Sequence, residues 1–293
     1  MFPAPFEYHR ATSIDETLAL LAKHGGDARV LAGGQSLIPA MRFRLARPAV
    51  LVDINALHEL SYLREEGGML AIGAMTRDAA LETSALIASK YPLLADTSAL
   101  VADPVVRQSG TVVGSLCHND PAGDWGVTAL AGRAQIVIRN ASGTRTVAID
   151  DFLVDSFTTA VGEGELALEV RFPTPPPRTA GSYQKIERKV GDFATASAAA
   201  RITLDADGAI TGAGVAIGAA GPHAMRVRDA EQLLQGAKPT KELIRAAADA
   251  ARALADPVAD NRGSVEFKKD MAGVLVGRAL IAAIGRLGVE GLR

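Results

Sequence analysis

Three consecutive prolines, Pro175 to Pro177, with Pro173 two residues earlier, constrain the fold of this chain more than any other stretch. Proline lacks a backbone N–H and fixes φ, so neither a helix nor a central strand crosses such a run. The 293 residues therefore divide into 1–175 and 176–293, each long enough for its own core. Patterning on the two sides differs. Residues 1–175 mix short strands and helices, with a further division near residue 58. Residues 176–293 read as strands at 182–189, 194–204 and 209–217, then helices at 224–234, 241–254 and 265–287. Thr240 and Ser264 open the last two helices.

Two glycine stretches stand out in the first part. Ala32-Gly33-Gly34-Gln35-Ser36-Leu37 follows the strand-like run 28–31 and leads into a short helix carrying Met41, Arg42 and Arg44. Gly110-Thr111-Val112-Val113-Gly114-Ser115 reads as a second loop, continued by His118-Asn119-Asp120-Pro121-Ala122-Gly123-Asp124-Trp125. Glycine permits positive φ and close approach, so successive amides converge into a nest for an anion. Each loop alone is more often a plain turn. As a pair they point to a ligand with two linked phosphates, and bulky residues at Gly33 or Gly114 are expected to fill the space where phosphate approaches. No G-x-G-x-x-G opens a helix after a strand and no P-loop lysine motif occurs, so a Rossmann site is excluded.

Other features are read locally. Ser13-Ile14-Asp15-Glu16 has capping-box spacing and opens a helix ending at Gly25-Gly26. Thr76 is read as an N-cap, and segments within 84–102 carry Leu86, Ile87, Leu93, Leu94, Leu100 and Val101 on an apolar face. Strands at 134–139 and 144–149 form a hairpin, and a strand at 165–172 closes this part. Leu254, Val274, Leu275, Leu280 and Ile284 are assigned to the C-terminal core, and His58 and His223 to solvent. Trp125 is read as packing the loop tail. Arg42, Arg44 and Arg47 face a phosphate, an acidic partner or simply water; exposed charges beside a helix are most often solvated.

Lys and Arg number 31 against 33 Asp and Glu, a net charge of -2 with no long basic run, which disfavours nucleic acid as a partner. The first residues lack a signal-peptide pattern and no stretch is apolar enough to span a bilayer, which sets a cytoplasmic location as the expectation, with the inner face of a membrane as its variant. The single cysteine, Cys117, excludes an internal disulfide and a four-thiolate cluster; it is read as a buried small residue, and His118 with Asp120 as no metal site.

The two glycine stretches, the tail 118–125 and Arg188-Lys189-Val190-Gly191-Asp192-Phe193-Ala194 together resemble the FAD-binding medium subunit of the molybdenum hydroxylases, the xanthine dehydrogenase family. Within it, the likeness is closest to medium subunits of the aerobic carbon monoxide dehydrogenase type. It covers essentially the whole chain. It implies an α+β fold: a two-subdomain, PCMH-type FAD-binding domain over 1–175, then a C-terminal domain of a small antiparallel sheet with helices over 176–293. It implies FAD contacts from Ala32, Gly33, Gly34, Gln35, Ser36 and Leu37, and from Thr111, Val112, Gly114, Ser115 and His118. Val101, Asp124, Lys185, Asp192 and Phe193 complete the set, Asp192 mainly by fixing the turn before Phe193. No residue is assigned a catalytic or metal-binding role. Val113 and Ser115 stand where the family has paired glycines and an asparagine, and Phe193 where many relatives have tyrosine, which keeps ring stacking and loses a phenol hydrogen bond.

The resemblance further implies an oxidoreductase subunit that passes electrons from [2Fe-2S] clusters of a small partner to quinone, NAD or another acceptor. A large molybdopterin subunit completes a dimer of heterotrimers. Two alternatives stay open: a self-sufficient FAD oxidoreductase of similar fold, and a flavin-free interaction subunit.

Overall fold

The computed structural model describes residues 2–292. Its first unit runs β1 (Glu7–Arg10), α1 (Ile14–His24), β2 (Ala28–Leu31), α2 (Leu37–Arg42) and β3 (Val50–Asp53), and the strands form a parallel sheet of order β1-β3-β2. β1 is absent from the sequence reading because Glu-Tyr-His-Arg shows no apolar alternation; it is a mostly exposed edge strand. Ser13 caps α1 by accepting the Glu16 N–H at 3.1 Å, but the second half of the capping box shifts: Glu16 accepts from Thr12, not Ser13. α2 ends at Arg42, so Arg44 lies outside it, at φ 58°.

The second unit comprises β4 (Leu63–Glu66), β5 (Met69–Gly73), α3 (Asp78–Glu82), α4 (Ala85–Lys90), α5 (Pro92–Leu100), α6 (Pro104–Arg107), α7 (Val112–His118) and α8 (Asp124–Gly132). It continues with β6 (Gln135–Asn140), β7 (Gly143–Ala148), α9 (Ile149–Phe152), β8 (Leu153–Asp155), β9 (Thr158–Thr159) and β10 (Leu166–Pro173). β10 returns to the middle of an antiparallel sheet of order β4-β5-β10-β6-β7. Thr76 caps no helix; its hydroxyl accepts from Tyr62 N and donates to Tyr62 O, and Arg77 takes the position before α3. Leu100 is exposed and Thr97 and Ser98 are buried in its stead, because α5 packs against α8, where Thr97 and Thr128 share a hydrogen bond.

No helix or strand occupies 174–178, as the prolines require. Beyond them β11 (Thr179–Ile186), β12 (Ala196–Leu204), β13 (Ile210–Gly218) and β14 (Met225–Arg226) form an antiparallel sheet. It is covered by α10 (Arg228–Leu234), α11 (Lys241–Leu254) and α12 (Val265–Gly285). α10 starts later than expected because residues 225–226 pair with β13, and Thr240 and Ser264 cap α11 and α12. Leu275, Leu280 and Ile284 are core residues, whereas Leu254 and Val274 are exposed on the outer faces of their helices, and His223 is half-buried, not solvent-facing.

This sheet is sandwiched between its own helices and α5 and α8 of the preceding unit. β12 shows how: Ala196, Ala198, Ala200, Ile202 and Leu204 face α10–α12, while the alternate Ala199 joins the core containing Trp125 and Leu130. Small residues permit the close approach, for a Cβ on Gly214 would fall 2.1 Å from the Ala131 carbonyl oxygen. Asp96 of α5 ties the layers. It accepts from Ser182 Oγ at 2.9 Å, Tyr183 N at 3.2 Å and both Nη atoms of Arg286 at 2.9 and 2.7 Å. Asp96→Ala strands these donors, so it is expected to lower stability by about 1–3 kcal/mol, read as a fall in the urea midpoint, with a less than additive effect when combined with Arg286→Ala.

Candidate functional site

The loop after β2 meets the segment before α7 through the backbone. A Cβ on Gly33 would fall 2.2 Å from the Ser109 carbonyl oxygen and 2.9 Å from Gly110 Cα, which only glycine tolerates. Gly34 is at φ 71° and packs on Ile38. Among the described residues, the N–H groups of Gly33, Gly34, Gln35 and Ser36 donate to no protein acceptor. The two remote stretches are thus in contact.

The second stretch is not a loop throughout. Thr111 is the N-cap of α7 and its Oγ1 accepts from Gly114 N at 3.1 Å, so Val112 to Ser115 form the first helical turn. The local reason is a strong capping residue ahead of an apolar run. First-turn amides lack intrahelical partners, and the helix dipole adds positive potential there. Val112 and Val113 are buried, so they offer backbone only; Gly114 and Ser115 are half-buried.

A brace that sequence reading missed holds the two stretches together. Asn55 Nδ2 donates to Ala32 O at 2.9 Å, Asn55 Oδ1 accepts from Arg77 Nη2 at 2.7 Å, and Arg77 Nη1 donates to Ser109 O. Asp53 orients Asn55 by accepting from its N at 2.8 Å and its Nδ2 at 2.6 Å, and Tyr8 donates to the other Asp53 oxygen. Burial works against the Asp53 charge, but the bonds from Tyr8 and Asn55 outweigh it and hold the carboxyl below its usual range. Nothing local in the sequence marks Arg77; Asn55 carries the weak signal of a polar residue two places beyond a strand.

Beneath Gly110 lies Asp78, whose Oδ1 accepts from Trp125 Nε1 at 2.9 Å and whose Oδ2 lies 2.5 Å from where a Gly110 Cβ would sit. Trp125 is fully buried, in agreement with the packing role read from sequence. It joins this floor to Asp124, the neighbouring residue at the start of α8. Asp124 Oδ1 accepts from Tyr183 OH at 2.6 Å and lies 3.2 Å from Lys185 Nζ. Lys185 also donates to Leu100 O at 3.0 Å and lies 3.1 Å from Glu187 Oε2. Its side chain is only 1% exposed, so it fastens α5, α8 and β11 to one another. Burial pushes the Asp124 carboxyl up, and Lys185 and Tyr183 draw it back.

Val101 ends α5, and its carbonyl accepts from Arg107 Nη1 at 2.9 Å. The loop after β11 rests on this corner, since a Gly191 Cβ would lie 3.2 Å from Ala102. Asp192 accepts from Phe193 N at 2.8 Å and Arg262 Nη2 at 2.7 Å, which holds the turn and leaves Phe193 exposed. His118 is at the far end of α7, about 9 Å along the helix from its first residue Val112, and packs tilted against Phe157 with ring centroids 5.2 Å apart. Burial pushes the Cys117 thiol up to about 12, which makes it inert.

Residues 4–175 match the family profile described as FAD binding domain in molybdopterin dehydrogenase, and residues 181–283 match CO dehydrogenase flavoprotein C-terminal domain. The chain belongs to the FAD-binding flavoprotein-subunit family of the molybdopterin dehydrogenases. This flavoprotein subunit is 40% identical, over 98% of its length and 99% of the relative's, to the carbon monoxide dehydrogenase medium chain of Hydrogenophaga pseudoflava. It is 37% identical, over 98% of its length and 97% of the relative's, to the 6-hydroxypseudooxynicotine dehydrogenase complex subunit alpha of Paenarthrobacter nicotinovorans. The structure of the Hydrogenophaga pseudoflava carbon monoxide dehydrogenase that lacks the Mo-pyranopterin moiety superposes with a TM-score of 0.95 at 42% identity, covering 98% of this chain and 99% of that one. The expected α+β architecture, oxidoreductase class and FAD cofactor therefore hold, and no helix among the described residues is long and apolar enough to cross a membrane.

Two outcomes test this geometry. The Gly33 Cβ points at backbone and not at open phosphate space, and the Gly114 Cβ meets only Thr111 Oγ1, at 2.6 Å. Gly33→Ala is therefore expected to lose most of its flavin by separating the loops, while Gly114→Ala, at the cost of a cap worth about 1 kcal/mol, keeps most of it; the flavin-to-protein absorbance ratio decides. Burial pushes Asp78 up to about 7. The unfolded chain ionises this group near pH 4 and the folded chain holds the proton to about 7, so stability falls as pH rises through that window and levels above it. Asp78→Asn is expected to remove this slope and to be more stable than the native chain at pH 8, with the smallest difference near pH 4, by urea denaturation across that range.

Proposed function

We propose that this chain is the electron-relay subunit of a molybdenum hydroxylase, holding FAD with its pyrophosphate across the joined stretches 32–37 and 110–115. When bound, FAD accepts electrons singly or in pairs and so couples one-electron to two-electron chemistry. The amides of Gly33 to Ser36 and the first turn of α7 hold the diphosphate, with Ala32 and Leu37 framing the first loop and Thr111, Val112, Gly114 and Ser115 the second. Asn55 and Arg77 keep the two from separating. Val101, Asp124 and Phe193 line the ring end, Asp192 sets the Phe193 turn, and Lys185 holds Asp124 in place. His118 contributes from the far end of α7. The working division is a cofactor domain over 1–175 and a C-terminal domain over 176–293.

The observation that carries this reading is the backbone contact between Gly33 and Ser109, which brings the two sequence-distant loops together. The relatives' names as medium chains and complex subunits support a multi-subunit assembly. In our reading a small subunit with two [2Fe-2S] clusters supplies the electrons, a large molybdopterin subunit selects and oxidises the substrate, and the whole is a cytoplasmic dimer of heterotrimers reducing quinone or NAD. The test is anaerobic. Substrate is expected to bleach the flavin absorbance of the intact complex and to leave the isolated, FAD-loaded chain unchanged; substrate oxidation by the isolated chain would favour a self-sufficient flavoenzyme.

A further inference from the structure

Between the C-terminal sheet and the helices of the preceding unit lies a guanidinium with no counter-ion. Arg201 stands two residues after Ala199 in β12, so its side chain leaves the sheet on the same side, toward α5 and α8. Its register partners on the neighbouring strands are Gly181 and Gly214. A Cβ on Gly181 would fall 2.8 Å from Leu93 Cβ, and one on Gly214 would fall 2.1 Å from the Ala131 carbonyl oxygen. Arg201 therefore carries the one side chain in a row of three strands, and it runs in the slot that the two glycines leave.

The slot opens into a cavity of about 30 Å³, walled among others by Tyr91, Leu93, Phe172, Pro175 and Thr179. That is room for one water or one ion of similar size. No acidic side chain lines it, and Arg201 is its one charged group. Arg201 is half-buried and makes neither a hydrogen bond nor an ion pair among the described residues. Leu93 and Leu94, both buried in the first turn of α5, add N–H groups that donate to no protein acceptor. Nearby polar groups are already engaged: Tyr91 donates to Glu65, and Thr179 and Thr203 share a hydrogen bond of 2.7 Å. Glu231, whose charge favours the guanidinium, is bonded by Arg133, Arg226 and Val215 N. Burial works against the Arg201 charge, and a charge withdrawn from water is stable when it is paired. Water in the cavity would satisfy donors and leave the charge uncompensated.

We propose that this cavity is a binding site for one small monovalent anion of chloride size, paired with Arg201 and lodged against the first turn of α5. Bound there, the anion neutralises the charge enclosed between the two units. It also holds the C-terminal sheet on α5, the seating that brings Tyr183 and Lys185 to Asp124. The site shares no residue with the glycine stretches and stands independently of the relay reading.

The experiment uses the full chain saturated with FAD, in sodium gluconate exchanged stepwise for sodium chloride at constant ionic strength. Gluconate is too large for the cavity. Arg201→Met keeps the side-chain length in an apolar slot, and Arg245→Met on α11 is the control. Excess chloride NMR line width and the urea unfolding equilibrium are measured. The native chain is expected to broaden the chloride signal, with bromide competing, and its unfolding constant to fall about 11-fold when chloride reaches ten times its dissociation constant. Arg245→Met behaves as the native chain does. Arg201→Met loses both responses and, in gluconate alone, unfolds at higher urea than the native chain, because no unpaired charge remains. Absence of excess broadening in the native chain, equal stabilisation by gluconate and chloride, or a chloride response that persists in Arg201→Met would each overturn the site. The first two are read on the native chain alone, so they decide the matter whether or not the variant folds.

Discussion

The geometry of this protein depends on a carbonyl oxygen that leaves no room for a side chain. Ser109 O lies 2.2 Å from where a Gly33 Cβ would be and also accepts from Arg77, so one backbone atom sets the spacing of the two units. The contact is short because both partners are backbone, and it is held because Arg77 reaches Asn55, and Asn55 reaches Ala32. Charge-assisted bonds of this kind contribute more than neutral ones and are directional, so they fix orientation as well as distance. A small three-stranded unit with an exposed edge gains from them a defined place on the larger one.

The C-terminal part is positioned by a different device, the removal of side-chain volume. Gly181 and Gly214, with the alanines of β12, let a sheet settle against α5 and α8 at backbone distance. Once seated, β11 delivers Tyr183 and Lys185 to Asp124, and the following turn lies on the Val101–Asp103 corner. Lys185 is therefore a cross-brace among three elements, and its burial makes a charge far from water affordable because Asp124, Glu187 and the Leu100 carbonyl surround it. Asp78 and Trp125 connect this brace to the floor of the glycine cradle.

Much of the local structure was legible along the chain. Strand 28–31, helix 241–254 and the caps Ser13, Thr240 and Ser264 follow from apolar periodicity and from side-chain oxygens facing orphan amides. The glycine and Arg188–Ala194 motifs carried the family. Errors fell where the deciding partner is distant. Thr76 has the look of a cap, but Tyr62 takes its hydroxyl. Gly114, read as a loop glycine, is the local exception: Thr111, three residues earlier, caps a seven-residue helix that includes it. Glu7–Arg10 becomes a strand because β3 offers it an edge, not because of its own pattern.

The amino-acid order by itself determined the proline break, the helix ends, the flavin-type loops and the family, because each of these is written in residues that are neighbours in the chain. Tertiary structure alone decided that a side chain at Gly33 would collide with the Ser109 carbonyl, that Asn55 and Arg77 clamp the loops, and that Lys185 is enclosed. Those outcomes depend on which atoms occupy the same few ångströms after packing, and excluded volume and desolvation act between residues that no local pattern connects.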